Sequence, residues 1–180
     1  MGTGAVGGYF GAKLAAAGHE LVFLARGKHL EAMRRSGLRI DSANGNLQIT
    51  ESFFTADPAE FGTADLVLFC VKSYDTETAA AALAPLIDDA TMILSLQNGV
   101  DNPERIARLW GARRTFAGTV YIGAQILSPG VILHSAGGKI VFGQPGGADS
   151  AAADRIKRSL SAPRINCAIS GDIGAAQWTK

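Results

Sequence analysis

The segment Gly2-Thr3-Gly4-Ala5-Val6-Gly7-Gly8 decides how the rest of the chain is read. It spells G-x-G-x-x-G and runs into a stretch of small residues at 7–17 with a helical pattern. Each glycine has its own physical use in such a loop. The first permits a tight turn, the second lets the backbone approach a pyrophosphate, and the third lets a helix pack closely on a strand. The start of the helix then offers backbone N–H donors that have no acceptor within the helix, and these suit phosphate oxygens. Taken alone, the pattern fits a plain tight turn as well, because 22 of the 180 residues are glycine where roughly 7% is usual.

The neighbouring segments favour the phosphate reading. An apolar strand is predicted at 21–25, and Arg26 follows it. An acidic residue about 20 positions after the glycines would bind the ribose of NAD. An arginine at that place pairs with a 2′-phosphate instead, and Lys28 adds positive potential, so NADP(H) rather than NAD(H) is the expected cofactor. A solvated basic loop is the alternative. A fold of this type also places a strand directly before the first glycine, where only Met1 stands. Either the chain starts at an internal methionine closing that strand, or the sheet lacks it. The first is expected, because removing a central strand exposes ladder groups on both neighbours.

Further along, apolar runs alternate with helical patterns. Helices are predicted at 28–36, 75–86, 103–110 and 151–160, and another starts after Asp172. Strands are predicted at 38–40, 47–50, 66–71, 92–95, 115–126, 131–134, 139–142 and 164–169. Turns are expected at Asn44-Gly45, Pro129-Gly130 and Gly137-Gly138. The expected fold class is α/β, a Rossmann-like doubly wound and largely parallel sheet lacking its first strand.

Composition excludes several classes. Lys and Arg total 17 against 16 Asp and Glu, with 18% charged and 47% hydrophobic residues, so neither a polybasic nucleic-acid binder nor a disordered chain fits. The apolar stretch 79–87 contains Pro85 and is far shorter than the roughly 18 residues of a membrane span. No signal-peptide pattern opens the sequence, so the cytoplasm is the expected compartment, with no membrane or nucleic-acid partner. Cys70 and Cys167 form no CxxC pair and are expected as buried thiols. His19, His29 and His134 have no ligand spacing, so no metal is expected.

Lys72 follows the predicted strand 66–71, and Gln97-Asn98-Gly99 follows 92–95. Arg26, Lys72 and Asn98 would therefore all lie beyond carboxyl ends of strands, where open α/β sheets bind ligands. Lys72 reads equally as a surface lysine capping a strand, and Asn98 as a turn residue before Gly99.

Gly2 to Gly8, Cys70-Val71-Lys72, Leu96-Gln97-Asn98-Gly99-Val100, the 118–124 segment with Pro129-Gly130 and His134, and Trp178-Thr179-Lys180 together resemble the ketopantoate reductase (2-dehydropantoate 2-reductase) family. The resemblance runs the length of the chain. It implies NADPH-dependent reduction of a small-molecule 2-oxo acid, 2-dehydropantoate to pantoate, in pantothenate and coenzyme A biosynthesis. It implies that Gly2, Thr3, Gly4, Ala5, Val6 and Gly7 hold the pyrophosphate, Arg26 meets the 2′-phosphate, and Lys72, Asn98 and Ala124 line the cofactor. Asn98 would also touch substrate, and Lys180 would bind substrate and act as general acid. Hydride delivery leaves negative charge on the carbonyl oxygen, which Lys180 would meet as cation and proton donor if burial lowers its pKa.

Residues 1–170 are then expected to form the NADP-binding domain and 171–180 the start of a shortened helical domain, with Lys180 disordered. A homodimer is left open. So are two other readings: a non-catalytic NADPH-binding module, and a related 2-oxo acid or imine reductase sharing the same motifs.

Overall fold

The computed structural model describes residues 1–147, 150–161 and 165–180. In chain order the elements are α1 (Ala5–Ala16), β1 (Val22–Leu24), α2 (Gly27–Ser36), β2 (Leu38–Ser42), β3 (Leu47–Ile49), β4 (Phe53–Thr55) and β5 (Leu66–Phe69). There follow α3 (Thr76–Ala81), β6 (Met92–Ser95), α4 (Asn102–Trp110), β7 (Thr115–Ser128), β8 (Val131–Gly143), α5 (Ser150–Ser161), β9 (Asn166–Ile169) and α6 (Ile173–Trp178). None of these helices is long and apolar enough to cross a membrane.

The main sheet runs β3-β2-β8-β7-β6-β5, with β9 also paired to β8, while β1 and β4 pair separately. β5, β6 and β7 are parallel neighbours, as are β1 and β4, β2 and β8, and β8 and β9. The β2–β3 and β7–β8 pairs are antiparallel. The doubly wound α/β expectation therefore holds, with one long antiparallel hairpin turning at Pro129-Gly130.

Strand alternation divides the core between two faces. Leu94 and Phe116 pack with Phe10 and Ile156 of α1 and α5, whereas Val67, Phe69 and Ile93 pack with Ala79, Ala80 and Ile106 of α3 and α4. Each large apolar side chain so buried contributes roughly 1.5–3 kcal/mol.

Four local expectations need correction. The helix predicted at 75–86 is broken: α3 stops at Ala81, and a separate 3-10 turn spans Ala84–Leu86. Pro85 at its centre has no N–H to continue an α-helical ladder. The segments 131–134 and 139–142 are one strand, because Gly137-Gly138 forms a bulge rather than a turn. Tyr121 pairs with Lys139 and Ile122 with Gly137, leaving Gly138 extra, and both glycines hold positive φ of 79° and 109°. The short strand β4 was not foreseen. The strand predicted at 164–169 begins outside the described residues and is observed at Asn166–Ile169.

The sheet is interrupted where the first strand was expected to be missing. Met1 lies between β1 and β5, bonding to the β5 side itself while Gly2 bonds to β1. Its amino group donates to the Leu68 carbonyl at 2.9 Å, its carbonyl accepts from Cys70 N–H at 2.9 Å, and Gly2 N–H donates to the Leu24 carbonyl at 3.2 Å.

Candidate cofactor site

The glycine loop turns between Met1 and α1. Gly2 has φ +86°, and a Cβ there would come within 2.7 Å of the Val71 nitrogen, so both conformation and space require glycine. Thr3 anchors the loop to the end of β1, donating from its N–H at 2.9 Å and its Oγ1 at 3.1 Å to the Leu24 carbonyl. At Gly7 an added Cβ would lie 2.4 Å from the Gly2 carbonyl oxygen, so the third glycine lets the helix close on its own loop.

Gly4 is different. It is the N-cap of α1 with φ −90°, a conformation open to any residue, and a Cβ there would meet no protein atom within 4 Å. The first helical bond runs from Gly8 N–H to the Gly4 carbonyl at 2.8 Å, so Ala5, Val6 and Gly7 have no acceptor within the helix for their N–H groups. Gly4 thus leaves open space at the start of the helix that carries these donors.

That space opens on a cavity of about 270 Å³ at the carboxyl ends of β1 and β5. Gly2, Thr3, Gly4, Arg26, Cys70 and Lys72 are on its wall. Arg26 is the extended N-cap of α2 and Lys72 follows β5; both are exposed, and neither forms an ion pair among the described residues. Asp75 is the carboxylate on this wall. Lys28, expected to add potential here, is not on it. His29 is, and its Nδ1 accepts the Gly130 N–H at 3.0 Å, tying the β7–β8 turn to the start of α2. Burial lowers the His29 pKa.

Cys70 is half-buried rather than buried as a residue, but its thiol lies inside, and burial pushes its pKa up to about 11. Cys167 is also half-buried.

The remaining expected site residues lie outside this cavity. Ala124 sits half-buried on β7 opposite His134, and Ile126, two residues on, reaches the wall instead. Asn98 follows β6, and its Oδ1 accepts from Lys180 Nζ at 3.0 Å. Lys180, expected to be disordered, is thus held in place, and burial lowers its pKa. Both remain on the exposed side of the molecule.

A polar network missed in the sequence links the two groups. Asn102 is fully buried, and its Nδ2 donates to the Asn98 carbonyl at 2.7 Å and to Ser73 Oγ at 3.2 Å. Thr76 Oγ1 donates to Asn102 Oδ1 at 3.0 Å. Gln97 Nε2 donates to Thr76 Oγ1 at 2.8 Å and to the Val71 carbonyl at 3.0 Å. The loop carrying Lys72 is therefore fastened to the loop carrying Asn98. The polar cluster Gln97, Asn98 and Asn102 after an apolar strand was the visible signal, but its partners Ser73 and Thr76 lie between β5 and the start of α3.

Comparison with known proteins gives the family of the chain. Residues 1–147 match the family model described as ketopantoate reductase PanE/ApbA. The chain is 34% identical over its whole length to the 2-dehydropantoate 2-reductase of Halobacterium salinarum, covering 59% of that protein. It is also 34% identical to the enzyme of that name from Archaeoglobus fulgidus, covering 58% of it. The crystal structure of 2-dehydropantoate 2-reductase from Geobacter metallireducens superposes on 99% of the chain with a TM-score of 0.92 at 31% identity, and 59% of that chain is matched. The chain thus spans about three-fifths of the length of these relatives. A D-mandelate dehydrogenase solved with NADH and anilino(oxo)acetate shares the fold, with a TM-score of 0.89 at 22% identity. With glycine loop, strand-end cations and sequence all in agreement, this chain belongs to the ketopantoate reductase PanE/ApbA family.

Proposed function

We propose that this chain is the cofactor-binding part of an NADPH-dependent reductase that converts 2-dehydropantoate to pantoate. The observation that carries the reading is the open space at Gly4. No protein atom requires glycine there, yet the missing side chain clears the approach to the free N–H groups of Ala5, Val6 and Gly7. A pyrophosphate fits that chemistry, since aligned N–H groups at a helix start favour an anion. Arg26, at the end of β1 and without an ion pair among the described residues, supports a 2′-phosphate on the adenosine ribose, and Lys72 adds positive charge on the same wall.

Bound NADPH supplies hydride to the carbonyl carbon. The chain's own residues then have three tasks. The glycine loop, Arg26 and Lys72 bind and orient the phosphate-bearing half. Asn98 Oδ1 holds the Lys180 ammonium and leaves the two amide hydrogens of Nδ2 free to donate to substrate or ribose. Lys180 meets the negative charge developing on the carbonyl oxygen and provides its proton, a role that its lowered pKa favours. Ala124 of β7 is the further residue we assign to the cofactor. The relatives named 2-dehydropantoate 2-reductase support the choice of substrate.

The test is NADPH oxidation with 2-dehydropantoate and a panel of other 2-oxo acids, using protein joined to the remaining two-fifths of a relative. We expect 2-dehydropantoate to give the highest kcat/KM. Lys180→Ala should lower kcat by about a hundredfold or more while leaving NADPH affinity within roughly threefold. The 180 residues alone should show no measurable turnover, because a misplacement of about 1 Å in the reacting groups costs on the order of a hundredfold. Full activity in Lys180→Ala would refute the assignment.

A further inference from the structure

Arg105 of α4 reaches across to the connection that follows β5. Its Nε donates to Glu77 Oε1 at 2.5 Å and its Nη2 to Glu77 Oε2, the two-point grip of a guanidinium on a carboxylate. The remaining edge of the fork, Nη1, donates to the Ser73 carbonyl at 2.9 Å and to Asn102 Oδ1 at 3.0 Å. Asp101 Oδ2 lies 4.0 Å from the same nitrogen. Glu77 belongs to α3 and Ser73 to the turn before it, so one side chain joins the connections after β5 and after β6. Arg105 is half-buried and Glu77 exposed, and an ion pair of that kind adds little stability by itself.

Donor hydrogens are scarce at the centre of this network. Thr76 Oγ1 has one hydrogen and two acceptors in reach, the Ser73 carbonyl at 2.9 Å and Asn102 Oδ1 at 3.0 Å. Arg105 Nη1 has two hydrogens and reaches the same two acceptors, so both are served. Asn102 is fully buried, where an acceptor left unserved is costly.

The Asn102 amide is thereby fixed in one orientation. Its oxygen faces Arg105 and Thr76, so its Nδ2 faces the Asn98 carbonyl and Ser73 Oγ. Ser73 Oγ passes its own hydrogen to the Asn98 carbonyl at 3.2 Å, and that carbonyl therefore accepts twice. The peptide so held leads into Gly99 at φ +98°, and the Asn98 side chain is the one that accepts from Lys180. Turning the Asn102 amide over would set its oxygen against the Asn98 carbonyl oxygen.

We propose that Arg105 is a positioning residue for the reduction: gripped by Glu77, it fixes the Asn102 amide and, through it, the Asn98 peptide whose side chain faces Lys180 and substrate. This rests on the reading of Asn98 and Lys180 as the pair that receives the carbonyl. Lysine cannot take the place of Arg105, because an ammonium has no planar fork to grip Glu77 twice while serving Ser73 and Asn102. The backbone beside Lys72 is held by other bonds. The Lys72 carbonyl accepts from Asp75 N–H at 2.9 Å and the Val71 carbonyl from Gln97 Nε2 at 3.0 Å.

The test has two arms. In the 180-residue protein without cofactor or substrate, Arg105→Met should speed hydrogen exchange of the Asn102 side-chain amide by about tenfold or more. The NMR signals of the Asn98 side-chain amide should shift as well, while Tm falls by no more than about 3 °C. In the extended protein of the reductase assay, Arg105→Met should lower kcat/KM for the 2-oxo acid about tenfold and leave NADPH affinity within roughly threefold. Arg105→Lys should behave like Arg105→Met. In an Asn102→Leu background, Arg105→Met should cost less than about twofold, because the intermediary is already gone. The first arm needs no turnover, so it decides the role of Arg105 even if the parent reduces no 2-oxo acid, a result that would refute the functional reading alone. Unchanged exchange at Asn102 in Arg105→Met would overturn the proposal. So would full kcat/KM in that variant of an active protein, or losses that simply multiply in the double variant.

Discussion

Lys180 Nζ stands 3.0 Å from Asn98 Oδ1, 82 positions away in the sequence. The contact joins the residue that follows α6 to the loop after β6, and Gln177 Nε2 adds a long bond of 3.4 Å to the Gly99 carbonyl nearby. An ammonium and an amide are thus paired at the carboxyl end of the sheet, the edge that carries Arg26 and Lys72. The pair has the chemistry to receive a carbonyl oxygen: a cation, and beside it an amide whose two hydrogens have no acceptor among the described residues.

The first prediction follows from burial of that ammonium. Desolvation disfavours the charged form, so the Lys180 pKa lies below the ordinary lysine value of about 10.4. In an NMR titration of lysine side chains Lys180 should lose its proton at lower pH than the exposed lysines. Asn98→Leu should lower it further, because the acceptor is lost while burial remains. A Lys180 that titrates with the other lysines would contradict this.

Gly4 and Gly7 should separate binding from stability. Gly4→Ala introduces no clash, so unfolding free energy should change by no more than about 1 kcal/mol, the scale of an N-cap effect. If the pyrophosphate binds as proposed, the methyl group stands in its approach, and NADPH affinity should fall at least tenfold. Gly7→Ala places a Cβ 2.4 Å from the Gly2 carbonyl oxygen and should cost about 1–3 kcal/mol. Thermal unfolding and calorimetry on both variants check the pair. The opposite ranking would contradict the assignment of the two glycines.

Asn102 should matter more than its distance from the cavity suggests. Asn102→Leu leaves the Asn98 carbonyl and Thr76 Oγ1 without their buried partner. The expected loss is about 1–3 kcal/mol, read as a lowered Tm. The Lys180 pKa should also move in this variant, because the loop that carries Asn98 loosens.

Cys70 gives a chemical check on the cavity wall. With its thiol pKa at about 11, the thiolate fraction at pH 8 is small and rises about tenfold per pH unit. Labelling of Cys70 by a thiol reagent should be slow at pH 8 and accelerate continuously toward pH 11. A plateau near pH 9 would show an ordinary, solvated thiol.

Much of this fold was legible in the sequence, because its strands are apolar runs with little ambiguity. Met92–Ser95 was read to the residue, and β7 and β5 within two residues at each end. What escaped depends on contacts across the chain. β4 has three residues and exists only through its pairing with β1, so no local period announces it. The Gly137-Gly138 bulge and a turn have the same local sequence, and only the register against Tyr121 and Ile122 separates them. That Arg26 and Lys72 share one wall was legible because each directly follows a predicted strand. The network of Ser73, Thr76, Gln97 and Asn102 was not, because its members converge from two separate strand-to-helix connections, after β5 and after β6.

Cofactor choice tests the account at its centre. Calorimetric titration of the chain with NADPH and with NADH, for the parent and for Arg26→Asp, isolates the 2′-phosphate. The account predicts that the parent binds NADPH at least tenfold tighter than NADH, and that Arg26→Asp removes or inverts the preference. Equal affinity of the parent for the two cofactors, or an unchanged preference in Arg26→Asp, would contradict it.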